Sequence, residues 1–298
     1  MRYAFFPGCS LESTARSYDA SARSVCGALG IGLEEIPDWV CCGSTPAHAS
    51  NDLLSVALPA LNLQKAKMLG LPVMVACASC YARLRTANHR ALQGPEERRN
   101  IERVTGSPYG GDVPVRHVLD VLANDLGPDA IRAGAGRPLS GLRVACYYGC
   151  LLTRPPEIVA FDDAEHPSCM ERVLSAAGAE CVEWPYRTEC CGAGLSMTHP
   201  AVVHRLSHRL LGMAQEAGAD CLAVACPLCQ VNLDLRQADA VKAHGALRPT
   251  PVLYVTQLLG LALGIPPEKL GLDALTVPAD GLLGKCGATG SVAGGGKP

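Results

Sequence analysis

Short apolar runs recur in matching order along the two halves of the chain. Arg2–Phe6 runs into Pro-Gly-Cys, and residues 142–148 (Leu-Arg-Val-Ala-Cys-Tyr-Tyr) run into Gly-Cys. Both predict buried strands that stop at a cysteine. Helical stretches follow over residues 14–29 and 167–177, with Gly30 and Gly178 as their stops. A second strand is predicted over 32–36 and 180–184, closed by Pro37 and Pro185. Further helices over 51–69 and 200–217 lead to third strands over 72–76 and 221–225. Each third strand enters a C-x-x-C motif where a helix begins, and Pro227 suits a first helical position.

The order βαβαβα in each half predicts an α/β protein of two homologous domains. Each is expected to be a small parallel sheet flanked by helices, the two related by pseudo-twofold symmetry. The expected domains span 1–136 and 137–277, joined near a Gly-, Ala- and Pro-rich linker at 127–140. A Gly-rich tail over 278–298 is expected to be mobile. Open parallel sheets bind ligands beyond the carboxyl ends of their strands, and the cysteine motifs fall at those ends.

Composition narrows the class. A chain of 298 residues has room for two ordinary domains, so neither needs disulfides to fold. With 48% apolar and 4% aromatic residues it suits an aliphatic α/β core. A formal charge of −2 and the absence of a Lys/Arg run argue against nucleic acid, leaving a protein or small-molecule partner. The longest apolar stretch, 252–265, is broken by Thr256 and Gln257 and ends at Pro266-Pro267, too short to span a bilayer. The first nine residues are too short an apolar stretch for a signal peptide. A cytoplasmic location is therefore expected. In a reducing compartment, 16 cysteines point to metal or redox chemistry over disulfides.

Ten of those cysteines form a duplicated grid: Cys9, Cys41-Cys42-Gly43 and Cys77-x-x-Cys80, then Cys150, Cys190-Cys191-Gly192 and Cys226-x-x-Cys229. In each half 34 residues lie between the Cys-Cys pair and the C-x-x-C (43–76 and 192–225). Thiolate is the soft ligand of zinc and of iron–sulfur clusters. Structural zinc takes four donors, usually from two hooks, whereas each half offers five thiols and one hook. A cubane [4Fe–4S] cluster also takes four. The fifth thiol is then spare, reactive, or bound to a larger or more open cluster. Adjacent thiolates also fit more easily on two metal ions than on one, since neighbouring side chains in extended chain diverge. Gly43 and Gly192 permit a tight turn there.

The pattern C…CCG…CxxC, present twice, resembles the cysteine-rich CCG domain. The chain as a whole is similar to the B subunits of heterodisulfide reductases, over nearly all of residues 1–275. The strings that carry the likeness are Phe6-Pro7-Gly8-Cys9, Val40-Cys41-Cys42-Gly43, Ala76-Cys77-Ala78-Ser79-Cys80, Tyr147-Tyr148-Gly149-Cys150, Cys190-Cys191-Gly192-Ala193-Gly194 and Cys226-Pro227-Leu228-Cys229. The resemblance implies two noncubane [4Fe–4S] clusters, each held by five cysteines. Cys9, Cys41, Cys42, Cys77 and Cys80 would hold the first, and Cys150, Cys190, Cys191, Cys226 and Cys229 the second. It also implies an oxidoreductase that cleaves or forms a disulfide between two facing clusters, on a small-molecule or lipoyl-protein substrate. The implied partners are a ferredoxin-like protein of the C type and a flavoprotein of the A type. Two other readings compete. One is an electron-transfer CCG protein of a succinate dehydrogenase or fumarate reductase type of complex. The other is a zinc-bound scaffold.

The remaining candidates are secondary. Cys26, Cys181 and Cys221 read as buried inert thiols, Cys169 lies on a predicted helix, and Cys286 sits in the tail. Cys146 falls on the same strand face as Cys150 and is read as core. His204 and His208 have metal-ligand spacing but nothing nearby completes a site. His48 and His199 follow the two Cys-Cys-Gly turns and are candidate proton donors. Arg83, Arg85, Arg154 and Arg187 lie near the motifs and are candidates to attract an anion. Gly192-x-Gly194 lacks the third glycine of a dinucleotide fingerprint, so no nucleotide site is expected.

Overall fold

The computed structural model describes residues 1–285. They form two four-stranded parallel sheets with the same strand order, β2-β1-β3-β4 and β6-β5-β7-β8. The first contains β1 (Arg2–Phe6), β2 (Gly32–Glu35), β3 (Val73–Val75) and β4 (Val115–His117). The second contains β5 (Arg143–Tyr147), β6 (Glu180–Cys181), β7 (Cys221–Val224) and β8 (Val252–Tyr254). Helices cover the sheets, and the central strands β3 and β7 are buried throughout, as two-sided parallel sheets require. The α/β class, the repeated parallel sheet and the flanking helices all follow the sequence expectation. We propose a division near residue 136, between the last strand of one sheet and the first of the next.

Several elements depart from that expectation. Each sheet has a fourth strand. The 127–140 stretch is not all linker: Pro128–Gly134 is a helix, with Pro128 at its first turn and Ile131 buried. Pro95–Thr105 is a further helix. The segment after Pro278 begins with a helix, Asp280–Lys285, which buries Leu282 and Leu283 and pairs Lys285 with Asp220 at 2.7 Å. Cys286 and the Gly-rich residues after it lie outside the described residues. No described helix is long and apolar enough to cross a membrane.

One hydrophobic core runs through both halves. The Val255–Ala262 helix packs on the Arg16–Ala28 helix, where the Tyr18 and Tyr254 rings stack at 3.9 Å. Ser21 and Thr256 hydroxyls meet there at 2.7 Å. On the other side, Tyr81 of the Ala78–Leu92 helix donates to the Val159 carbonyl at 2.6 Å, and Arg85 donates to the Ile158 carbonyl at 3.0 Å. The carboxyl ends of both sheets thus lie against a shared seam.

Candidate functional site

Phe6 stands opposite Val75, so β1 and β3 deliver Cys9 and Cys77 at one edge of the first sheet. Tyr147 stands opposite Val224, and β5 and β7 deliver Cys150 and Cys226 in the same way. The loops after β2 and β6 carry the Cys-Cys pairs to those edges. Cys77 and Cys226 each cap the start of a helix, Ala78–Leu92 and Pro227–Gln230.

Glycine is required where the backbone meets sulfur. Gly8 has φ +69° and a Cβ there would lie 3.1 Å from the Cys80 sulfur. Gly149 has φ +66° and a Cβ there would lie 3.1 Å from the Cys229 sulfur. The repeat therefore preserves the same left-handed turn and the same close approach.

The sulfurs approach in pairs. Cys41 and Cys9 are 3.6 Å apart, Cys42 and Cys80 3.2 Å, Cys150 and Cys190 3.9 Å, and Cys191 and Cys229 3.6 Å. Cys77 and Cys226 lie close enough across the seam to shift each other's pKa, which couples the two quintets. Among the described residues, no three or more His, Cys, Asp or Glu side chains surround one point as a single metal ion requires.

These contacts divide the thiols into donors and acceptors. Hydrogen bonds from Cys41 and Cys80 hold Cys42 well below the usual thiol range, and those from Cys229 and Cys77 do the same for Cys226. The bond from Cys150 draws Cys190 down to about 6. The donor thiols Cys41 and Cys150 are pushed up by the same bonds. Each half thus holds at least one sulfur that favours the thiolate, the form that binds metal.

Polar side chains fix the loops. Buried Asn62 bonds both the N–H and the carbonyl of Val40, each at 2.8 Å, immediately before Cys41. In the second half Tyr147 donates to the Glu189 carbonyl at 2.7 Å, immediately before Cys190, and Asn232 donates to the Cys191 carbonyl at 3.1 Å. Ser44 and Ser79 hydroxyls, 2.7 Å apart, tie the first Cys-Cys-Gly turn to its C-x-x-C. Asn62→Ala removes both bonds to Val40 and is expected to cost about 2 kcal/mol. Chemical denaturation should report that loss.

His117, at the end of β4, carries no motif that marks it in the sequence. Its Nδ1 accepts from the Leu119 N–H at 3.2 Å, so Nε2 carries the proton and donates to the Ala76 carbonyl at 2.8 Å. The Ala225 carbonyl lies close enough to raise the affinity of the ring for a proton. The imidazole therefore holds the residue immediately before Cys77 and neighbours the one immediately before Cys226. Burial lowers its pKa to about 4.

A cavity of about 250 Å³ opens at the seam. All five thiols of the second set line it, while Ser44, His48, Ser79 and Arg83 of the first half face them. Tyr148 and Leu151 contribute to its wall.

The secondary candidates separate clearly. Cys146 is buried and 3.8 Å from Cys181, within the second sheet, and Cys26 and Cys221 are buried. Cys169 is buried beside Arg172. His48 reaches the cavity, whereas His199 is exposed and bonds Thr198 at 2.9 Å. His208 bonds the Gly245 carbonyl at 3.1 Å and joins no metal site with His204 among the described residues. Arg154 pairs with Glu165 at 2.7 Å and Arg187 with Glu171 at 3.3 Å, and Arg85 is engaged at Ile158. Arg83 alone of the four lines the cavity.

Duplicated parallel sheets with paired thiols at their carboxyl ends define a cysteine-rich two-repeat protein. The model of the CCG cysteine-rich domain matches residues 3–85 and 144–234, and the chain belongs to that family. Among its relatives is the 8-methylmenaquinol:fumarate reductase membrane anchor subunit of Wolinella succinogenes. That protein is 34% identical over 278 residues, covering 93% of this chain and 97% of the relative. A protein of Archaeoglobus profundus, named for its likeness to the B subunit of heterodisulfide reductase, is 30% identical, covering 95% and 97%. The B subunit of the ferredoxin/F420H2-dependent CoB-CoM heterodisulfide reductase of Methanosarcina acetivorans is 29% identical, covering 91% and 92%. A solved hypothetical protein from Helicobacter pylori shares the fold, with TM-score 0.74 and 14% identity. The match covers 93% of this chain and 52% of that one, so the chain spans about half its length.

Proposed function

We propose that the chain is an iron–sulfur subunit of a multisubunit oxidoreductase and that disulfide or thiol chemistry takes place in the cavity at its seam. In this reading Cys9, Cys41, Cys42, Cys77 and Cys80 hold one noncubane [4Fe–4S] cluster, and Cys150, Cys190, Cys191, Cys226 and Cys229 hold the other. The observation that carries it is the convergence of the complete second set on one cavity whose opposite wall comes from the first half. The donor chemistry fits: sulfurs only, in pairs, with thiolate-favouring members. Relatives named as B subunits of heterodisulfide reductases, matched over most of both chains, support the same reading.

Bound there, such clusters would supply electrons one at a time and iron able to hold a sulfur as thiolate. The chain's own residues supply the rest. Gly8 and Gly149 keep the backbone against Cys80 and Cys229. Asn62, Tyr147 and Asn232 hold the Cys-Cys loops. Leu151, Leu228 and Tyr148 limit water at the sulfur wall. His48, on the facing wall, is the group we assign to carry a proton to a departing sulfur. The proposed partners are a ferredoxin-like protein that delivers electrons and a flavoprotein behind it.

A second reading has its own support. The Wolinella relative is named as part of a fumarate reductase, and an electron relay needs no substrate in the cavity. Iron and acid-labile sulfide analysis of anaerobically prepared protein tests for the clusters, and iron-free protein overturns both readings. Titration with candidate thiols, followed by electron paramagnetic resonance, separates the two. A change of signal on adding thiol is required by disulfide chemistry, and a signal indifferent to every thiol leaves the relay.

A further inference from the structure

Arg83 sits three residues past Cys80 on the Ala78–Leu92 helix, half-buried, with its side chain in the cavity wall. Its guanidinium makes no hydrogen bond and pairs with no carboxylate among the described residues, unlike Arg85, Arg154 and Arg187, and its charge reaches the Cys42 sulfur, which it helps to hold as thiolate. A guanidinium is always charged. With no carboxylate or carbonyl partner, its N–H donors are open to an anion in the cavity. No carboxylate is among the described residues that line the cavity.

The two repeats also differ here. Ser44 and Ser79 of the first half correspond by motif to Ala193 and Leu228 of the second. The position that matches Arg83 is Asn232, which is committed to the Cys191 carbonyl. The cavity therefore has an apolar wall beside the second set of thiols and a polar, cationic wall opposite.

We propose that Arg83 selects the ligand of this cavity. The thiol or disulfide that binds there carries an anionic group, a carboxylate, sulfonate or phosphate. Its sulfur lies toward Cys150 and Cys190 and its anion toward Arg83. The proposal rests on the disulfide reading above and adds the charge of the substrate and the residue that reads it.

The test uses anaerobically prepared, cluster-loaded protein and two probes of similar size, 3-mercaptopropionate and neutral 3-mercaptopropan-1-ol. Binding is measured by calorimetry and by perturbation of the paramagnetic signal. The wild-type protein should bind the anionic probe tighter by about tenfold or more, the scale of one charge-assisted hydrogen bond. That preference should shrink as ionic strength rises. Arg83→Gln should abolish the preference while Arg83→Lys keeps part of it. If neither probe binds, the disulfide reading fails and this inference with it. Equal binding of both probes to the wild type overturns the charge assignment alone. So does an Arg83→Gln protein whose cluster signal moves but whose preference survives, since Arg83 would then serve the nearby Cys42 sulfur.

Discussion

On the proposed two-cluster reading, Cys191→Ser is expected to strip one cluster and leave the other. Protein prepared without air should lose about half its iron and acid-labile sulfide, and the remaining cluster should belong to the first quintet. Cys191 is 2% exposed, lies 3.6 Å from the Cys229 sulfur, and has its own carbonyl held by Asn232. Serine keeps the size of the side chain but replaces a soft donor with a hard oxygen, a poor ligand for iron–sulfur units. The loop itself should stay in place, because Tyr147 at Glu189 and Asn232 at Cys191 do not depend on the sulfur. Cys146→Ser is the control. That buried thiol faces Cys181 inside the sheet, so its loss should leave the metal content unchanged. Iron lost equally in both variants, or in neither, would remove Cys191 from the ligand set. Because Cys77 and Cys226 influence each other across the seam, the surviving signal should also be shifted from that of the intact protein.

The sequence was most legible where covalent spacing and backbone freedom coincide. The two cysteine grids, the strand that ends before each leading cysteine, and the glycines beside Cys9 and Cys150 could all be read directly. A left-handed glycine next to a sulfur leaves a local mark. The fourth strands left none. Val115-Arg116-His117 is three residues long with a charged middle, too short for an alternation to show. Val252–Tyr254 passes directly into the wholly buried Val255–Ala262 helix, so apolar residues run on with neither period visible. The Asp280–Lys285 helix is likewise made of a few residues whose only apolar pair is Leu282-Leu283. Side chains that reach across the fold were equally hidden. Asn62 grips a loop 22 residues away, and nothing near it in the chain distinguishes it from a surface amide. The approach of the two C-x-x-C motifs to one another depends on how the halves pack, which no single repeat encodes. Arg83 became informative only when its three companions were seen to be engaged.

His117→Leu should loosen the first quintet and change how the protein responds to acid. At neutral pH the substitution leaves the Ala76 carbonyl buried and unpaired, a loss of about 1–3 kcal/mol. The Ala225 carbonyl loses a neighbour as well. Since the Ala76 carbonyl immediately precedes Cys77, iron of the proposed first cluster should be lost before that of the second, the reverse of the loss expected for Cys191→Ser. The acid dependence follows from burial. In the unfolded chain the imidazole takes up a proton below about 6.5, whereas in the fold burial delays this to about 4. Between those values the unfolded state binds more protons, so wild-type stability falls as pH falls, by up to roughly 3 kcal/mol from this group. Leucine does not titrate. The gap between wild type and variant should therefore be widest near pH 7 and close as the pH is lowered toward about 4. Far-ultraviolet circular dichroism of denaturant unfolding at stepped pH measures that gap, and taking the difference cancels what acid does to the carboxylates and sulfurs elsewhere. Parallel curves for the two proteins would mean that the ring is not the neutral clamp on Ala76 that its hydrogen bonds describe.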